Sequence, residues 1–251
     1  MMHRAKKSMG QNFLINPKVA ERIALEADIA KKDTVLEIGP GTGNLTKFLL
    51  PRAKKIIAVE KDENLIAELA KKFKEEIVNK KLILIKEDIL EVDMEGSYKI
   101  IANIPYNITG AILKKFLAGE NKPESMTLMV QKEVAERILA KDGKESLLSI
   151  SVKAYGEPKI LFKVGRGNFY PSPNVDSAVI AIKNISGRIF TENRIKGEGF
   201  WEIVRAGFAH KRKKLSSNLK NLLKKEALAS LENKRAEELS LADWINLVKM
   251  I

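Results

Sequence analysis

The sequence predicts an α/β fold: a parallel sheet covered by helices on both faces, followed by a small helical domain. Three observations predict it. Short β-branched runs alternate with stretches of helical apolar spacing through the first 140 or so residues. The first of those runs ends in a glycine-rich loop, as the opening βα turn of such sheets does. Beyond about residue 185 the strand signal stops, and the spacing turns helical to the C-terminus.

In order along the chain, Pro17 to Asp28 has helical spacing (Val19, Ile23, Ala24, Ala27), with Asn16 as N-cap and Pro17 in the first turn. Thr34 to Ile38 reads as a buried parallel strand and Asn44 to Leu50 as the helix after it. Lys55 to Glu60 is the second strand of the sheet and Asp62 to Phe73 the second helix. Leu82 to Ile85 and Tyr98 to Ala102 are the third and fourth strands, with a helix over Ile108 to Leu117. Met126 to Val130 is the fifth, with a helix over Lys132 to Leu139. Ser146 to Tyr155 fits helix or strand. Ile160 to Val164 and Ser177 to Ile182 read as an antiparallel edge pair joined by a Gly-, Pro- and Asn-rich loop. Glycine, asparagine and charge cluster from Ile185 to Gly199, which places a boundary there. The expected domains are therefore 1–185 and 186–251. From Phe200 onward, Trp201, Val204, Phe208, Leu215, Leu219, Leu222 and Trp244 are the apolar candidates.

Composition narrows the function classes. The chain has 251 residues, with 45 Lys and Arg against 32 Asp and Glu, a net charge of +13. That excess points to a polyanionic partner, nucleic acid or an anionic membrane. No apolar run approaches the ~20 residues that span a bilayer. The basic N-terminal segment lacks the apolar stretch of a secretory signal, so a cytoplasmic protein is expected. There are no cysteines, which excludes disulfides, thiolate metal sites and a cysteine nucleophile. With only two histidines, a Ser-His-Asp triad or a His-rich metal site is hard to build, and no metal is expected.

Gly39, Gly41 and Gly43 follow a strand and precede a helix. Glycines there let the backbone reverse tightly and approach a ligand closely. Helix N-terminal N–H groups would favour an anion such as a carboxylate or a pyrophosphate. The spacing is G-x-G-x-G, which weakens a dinucleotide reading. Glu60 ends the next strand, where an acid can accept from both ribose hydroxyls. Asp88 follows the third strand and suits either an adenine amino group or a helix N-cap. Glu37 either orients the loop or is a structural strand-end acid.

Asn103-Ile104-Pro105-Tyr106 follows the fourth strand, on the edge where ligands of such sheets gather. The Asn103 side-chain carbonyl and the Ile104 backbone carbonyl can accept the two hydrogens of an exocyclic amine. That would hold the amine in line with an activated methyl group and stabilise positive charge as it develops. Pro105 stiffens the turn and brings no N–H. Tyr106 can stack on a flipped base. Phe169, on the proline-stiffened Phe169 to Pro173 loop, is a candidate for the base's other face, or else an aromatic capping the core. Together the two motifs point to methyl transfer from S-adenosylmethionine to an amino group on a base.

These residues resemble the ribosomal RNA adenine N6-dimethyltransferases, specifically the small-subunit branch, over nearly the whole chain. Gln11-Asn12-Phe13-Leu14 is similar to the family's N-terminal cofactor motif. Gly39 to Gly43, Glu60, Glu87-Asp88 and Asn103 to Tyr106 match later motifs in order. Val130 to Ala135 and Phe169-x-Pro171-x-Pro173-x-Val175-Asp176-Ser177 match two more. The resemblance implies a Rossmann-like S-adenosylmethionine-dependent methyltransferase domain with a small C-terminal helical domain. It implies cofactor contacts at Asn12, Leu14, Gly39, Glu60, Asp88 and Asn103. It also implies two methyl groups on each of two adjacent adenines in a terminal hairpin loop of small-subunit rRNA, a mark of ribosome assembly. Ile104 stands where the family often has Leu, and Asn174 where it often has Lys.

The last 66 residues carry 14 basic and 8 acidic side chains. Lys211, Arg212, Lys213 and Lys214, continued by Lys220, Lys224 and Lys225, would form a cationic helix face for RNA phosphates. Arg4, Lys6 and Lys7 make a second basic patch. The expected partner is small-subunit rRNA or the immature small subunit, bound by a monomer. The competing readings are a large-subunit rRNA methylase of the antibiotic-resistance type, a DNA adenine methylase, a non-catalytic RNA-binding assembly factor and an NAD enzyme.

Overall fold

A computed structural model of the chain describes residues 11–210, 212–229, 231 and 233–250. The strands in chain order are β1 (Phe13–Leu14), β2 (Thr34–Ile38), β3 (Lys55–Glu60), β4 (Leu82–Lys86), β5 (Lys99–Asn103), β6 (Ser125–Gln131), β7 (Glu157–Val164), β8 (Phe169–Tyr170) and β9 (Ser177–Lys183). The helices that matter below are α1 (Pro17–Glu26), α2 (Thr46–Leu49), α3 (Glu63–Lys72), α4 (Lys74–Val78), α5 (Thr109–Ala118), α6 (Lys132–Leu139) and α7 (Leu147–Lys153). They are followed by α8 (Arg188–Glu192), α9 (Gly197–Phe208), α10 (Leu215–Leu219), α11 (Lys225–Ala229) and α12 (Leu241–Val248).

The described residues form two compact units. The first takes the chain up to Ala135 and Glu157–Ile185; the second takes Glu136–Gly156 and the chain from Ser186. The division differs from the expected one in residues 136–156. Their apolar side chains explain why: Ile150 and Ala154 are buried in one cluster with Phe200, Val204, Leu215, Leu219 and Trp244. The helix–strand ambiguity of this stretch resolves as α7. Ser146 caps it, its hydroxyl accepting from Ser149 N while Ser149 Oγ accepts from Ser146 N.

In the first unit a seven-stranded sheet runs β4-β3-β2-β5-β6-β9-β7. β4, β3, β2, β5 and β6 are parallel, and β9 pairs antiparallel with both β6 and β7. β5 and β6 are buried along their middles, as the apolar runs Ile100–Ala102 and Met126–Val130, the latter interrupted only by Thr127, require. The α1 start is as its sequence demands: Asn16 Oδ1 accepts from Lys18 N at 3.0 Å, with Pro17 in the first turn. A separate two-stranded ribbon pairs β1 with β8, setting Phe13 opposite Tyr170 and Leu14 opposite Phe169. Asn16 Nδ2 to Asn168 Oδ1 (2.7 Å) and Ile15 N to Asn168 O (2.9 Å) extend the ribbon. Two-residue strands carry no period, so nothing in the sequence announces this ribbon.

β2 has β3 on one side and β5 on the other. The winding reverses between β2 and β5, and a crevice opens at the carboxyl ends of such a pair. Gly39 follows β2 there, and Asn103 ends β5.

The second unit buries Trp244 and Phe200 completely. Beside them Tyr155 stacks on Trp201 at 6.0 Å between ring centroids, and the indole Nε1 of Trp201 donates to Tyr155 Oη at 3.2 Å. Large aromatic side chains each contribute roughly 1.5–3 kcal/mol when buried, so this cluster holds a small helical unit together.

Candidate active site

A cavity of about 440 Å³ occupies the crevice of the first unit. Its walls come from 11–14, the end of β2 and its glycine loop, Val59–Lys61 at the end of β3, Glu87–Ile89 after β4, and Asn103–Ile108 after β5. Of the predicted site residues, Asn12, Leu14, Gly39, Gly41, Glu60, Asp88, Asn103 and Tyr106 all line it.

Gly39, Gly41 and Gly43 adopt φ of +62°, +57° and +75°, where a side chain is strained. The reason for glycine differs among them. A Cβ on Gly41 would lie 3.0 Å from Phe13 Cδ1 on the cavity wall. A Cβ on Gly43 would lie 2.5 Å from Phe73 Cε2 and 2.9 Å from Leu69 Cδ2. Gly43 is therefore a packing glycine under α3, and it does not line the cavity. The anion-cradle expectation also needs correcting. The N–H groups of Gly39, Gly41 and Gly43 donate to Val59 O, Glu60 Oε2 and Pro40 O. The helix after the loop is only the four residues of α2, with no side-chain cap. The loop shapes the cavity by close approach, while its glycine N–H groups serve the fold.

Glu60 is buried, and three backbone N–H groups fix its carboxylate. Oε2 accepts from Gly41 at 3.2 Å; Oε1 accepts from Lys61 at 2.9 Å and from Asp62 at 3.0 Å. Burial raises its pKa, and those backbone bonds hold the rise down. Three of its roughly four acceptor sites are thereby filled, and the one left, on Oε2, can take a ligand hydroxyl. Asp88 accepts from Leu90 N through Oδ1 and from Lys61 Nζ through Oδ2 at 2.8 Å. The Lys61 hydrogen bond is the main reason its pKa lies below the ordinary carboxylate value. Lys61 thus belongs to the site, although an isolated lysine gives no sequence signal.

The Asn103 amide donates through Nδ2 to the Asn12 backbone oxygen at 3.2 Å. A carbonyl only accepts, so the nitrogen must face Asn12 and Oδ1 must face away. The N-terminal motif therefore orients the β5-end asparagine. Asn44 Nδ2 donates to Leu14 O at 2.7 Å, tying the same wall to the glycine loop. Tyr106 is anchored by its hydroxyl, 2.6 Å from Ser177 Oγ at the start of β9. Burial raises the Tyr106 pKa, and the Ser177 bond opposes the rise. Ser177 entered the sequence reading only as the last letter of a motif and the first residue of a strand; its spacing gives no hint that it anchors Tyr106.

Phe169 is not at the cavity. It is 3% exposed and packs with Leu14, Met129, Phe162 and Val164 in the core. Side chains alternate along β8, so Phe169 points inward and Tyr170 outward, the latter 47% exposed. Of the two readings offered for Phe169, the structure favours the core aromatic.

In the second unit, Arg212, Lys213 and Lys214 are exposed, but they occupy a turn rather than a helix face. Lys213 N closes the turn on His210 O at 3.0 Å, and Lys214 is the N-cap residue of α10. Lys211 lies outside the described residues, as do Arg4, Lys6 and Lys7.

A profile of the family described as ribosomal RNA adenine dimethylase matches residues 2–251. The chain is 42% identical over 259 residues to ribosomal RNA small subunit methyltransferase A of Dehalococcoides mccartyi, covering 97% of this chain and 87% of the relative. Its fold is similar to a dimethyladenosine transferase from Plasmodium falciparum: TM-score 0.79, 29% identity, 94% of this chain and 95% of the other. It is also similar to the 23S rRNA methyltransferase ErmE: TM-score 0.77, 25% identity, 95% and 99% covered.

Proposed function

Because the chain belongs to the ribosomal RNA adenine dimethylase family, we infer that it dimethylates N6 of two adjacent adenosines in a hairpin loop of small-subunit rRNA. S-adenosylmethionine is the methyl donor. The observation that carries this reading is the Asn103 amide on the cavity wall, its nitrogen pinned by Asn12 O so that its oxygen is left free to accept.

When bound, the cofactor supplies a methyl group activated by its sulfonium. The cavity wall fits it: Glu60 can receive a ribose hydroxyl on Oε2, and Asp88 can accept from the adenine amino group beside Lys61. Asn12, Leu14, Gly39 and Gly41 complete the cofactor wall. Asn103 Oδ1 and the Ile104 carbonyl receive the hydrogens of the target amine. They draw its lone pair out of conjugation and stabilise the charge that grows on nitrogen. Tyr106 stacks on the target base, its ring held by Ser177. The methylated amine is acidic enough to lose its proton without a dedicated base.

The exposed cations of the second unit, Arg212, Lys213 and Lys214 with Lys211 beside them in sequence, supply affinity for RNA phosphates. Selectivity comes from the shape of the loop and its splayed bases. Among the described residues no helix is long and apolar enough to cross a membrane. A monomer acting in the cytoplasm on the immature small subunit completes the reading.

The likeness to ErmE sustains one second reading, a large-subunit target. Incubation with purified small- and large-subunit rRNA and labelled methyl donor separates the two. Label confined to small-subunit rRNA is expected. Label confined to large-subunit rRNA, or none in either, would overturn the assignment.

A further inference from the structure

Four carboxylates line the cavity, and three have hydrogen-bond donors. Glu60 accepts from three backbone N–H groups, Asp88 from Lys61 and Leu90 N, and Glu87 Oε1 from Asp88 N at 2.9 Å. Glu37 stands apart. It lies on β2 next to the glycine loop, is 1% exposed, and among the described residues neither of its oxygens has a hydrogen bond of good geometry. A buried unpartnered carboxylate is costly, so such a group stays neutral or finds a cation.

Among the described residues none pairs with it as that cation. Around Glu37, the groups that act on its charge are Thr46 from α2, whose nearby hydroxyl favours the anion, Glu60 from the end of β3 and Lys72 from α3. Glu60 disfavours ionisation. Lys72 favours it from a distance, while its ammonium donates to Thr42 O at 2.7 Å. Among the described residues it forms no ion pair with Glu37. Burial dominates and pushes the Glu37 carboxyl up to about 8. At neutral pH the cavity therefore presents a carboxylic acid beside the glycine loop, ready to become an anion once a positive charge arrives.

Resting on the methyltransferase reading above, we propose that Glu37 receives the α-ammonium of the cofactor's amino-acid end, and that this binding expels the Glu37 proton. The carboxyl O–H bond breaks, the proton passes to solvent, and the carboxylate pairs with the ammonium. The ribose and adenine then fall to Glu60 and Asp88 farther along the same wall. Cofactor affinity becomes a function of pH: it strengthens as pH rises toward the Glu37 pKa, because bound Glu37 carries one proton fewer than free Glu37.

Titration calorimetry on the full chain tests this with S-adenosylmethionine and S-adenosylhomocysteine, at pH 7 in buffers of different ionisation enthalpy. The expected result is release of about one proton per ligand for both compounds, since both carry the ammonium. Affinity should rise close to tenfold per pH unit from pH 6 to 7. Glu37→Gln should bind without releasing the proton. Binding of both compounds with no proton release by the wild-type chain would overturn the proposal and leave the function standing. So would equal release by wild type and Glu37→Gln. Release with the sulfonium compound alone would overturn the ammonium assignment. Failure of either compound to bind would remove the cofactor reading and this inference with it.

Discussion

The crevice of the first unit and the basic turn of the second meet their ligands in opposite ways. In the crevice each functional atom is held by another: Asn103 by Asn12 O, Tyr106 by Ser177, Glu60 by three backbone N–H groups. In the turn, Arg212, Lys213 and Lys214 are exposed, and among the described residues Lys214 Nζ has a single 3.2 Å contact, to Asn233 Oδ1. Rigid, partly buried groups suit a reaction in which small misplacements are costly. Exposed, flexible cations suit a polyanion whose phosphates can be met in many registers. The difference teaches where to look for rate and where for affinity: changes in the crevice should act on turnover, changes in the turn on RNA binding.

The sharpest way to break that contrast is Asn103→Ala. It removes one of the two amine acceptors, so kcat should fall by about 10²–10³ while the cofactor still binds in calorimetry. A near-normal kcat would dissolve the distinction. Gly43→Val comes next. At φ +75°, with Phe73 Cε2 2.5 Å from the added carbon, it should destabilise the first unit by about 3 kcal/mol or more. Thermal unfolding checks this, and an unchanged midpoint would show that the loop can move away from α3.

Replacing Arg212, Lys213 and Lys214 together by Ala should weaken RNA binding by roughly tenfold and flatten its salt slope by about 2. The kcat at saturating RNA should be unchanged; a loss of kcat with an intact salt slope would place these residues in the chemistry instead. Tyr106→Phe should have the smallest effect. It loses the Ser177 bond, worth about 0.5–1.5 kcal/mol, and keeps the stacking ring. A several-fold fall in kcat/KM is expected, against a much larger one for Tyr106→Ala. Equal losses would mean that the hydroxyl, rather than the ring, carries the role.

Much of the crevice was legible because its residues are tied to backbone events that leave a sequence signature. Glycines at positive φ after a β-branched run, an acid closing the next strand and Asn-x-Pro-Tyr after β5 all reach the same cavity. Where the sequence misled, the deciding interaction was non-local. Gly43 looks like its neighbours, but its reason lies in Phe73, 30 positions away. Phe169 and Tyr170 are adjacent aromatics, and only the pairing of β8 with β1 decides which one turns inward. The Asn44 to Leu50 helix shrank to α2 because the turns of the glycine loop extend to its doorstep. The basic run has helical neighbours, yet α10 begins only at Leu215. Residues 146–155 satisfy both periods, and a reciprocal pair of serine bonds decides for helix.

The central claim is that the acceptor geometry at the end of β5 selects one atom, the exocyclic nitrogen of adenine. Nucleoside mass spectrometry of methylated small-subunit rRNA reads that atom directly. The product expected is N6,N6-dimethyladenosine, with N6-methyladenosine as its precursor. Methyl groups found instead on a ring nitrogen, a ribose hydroxyl or another base would contradict it.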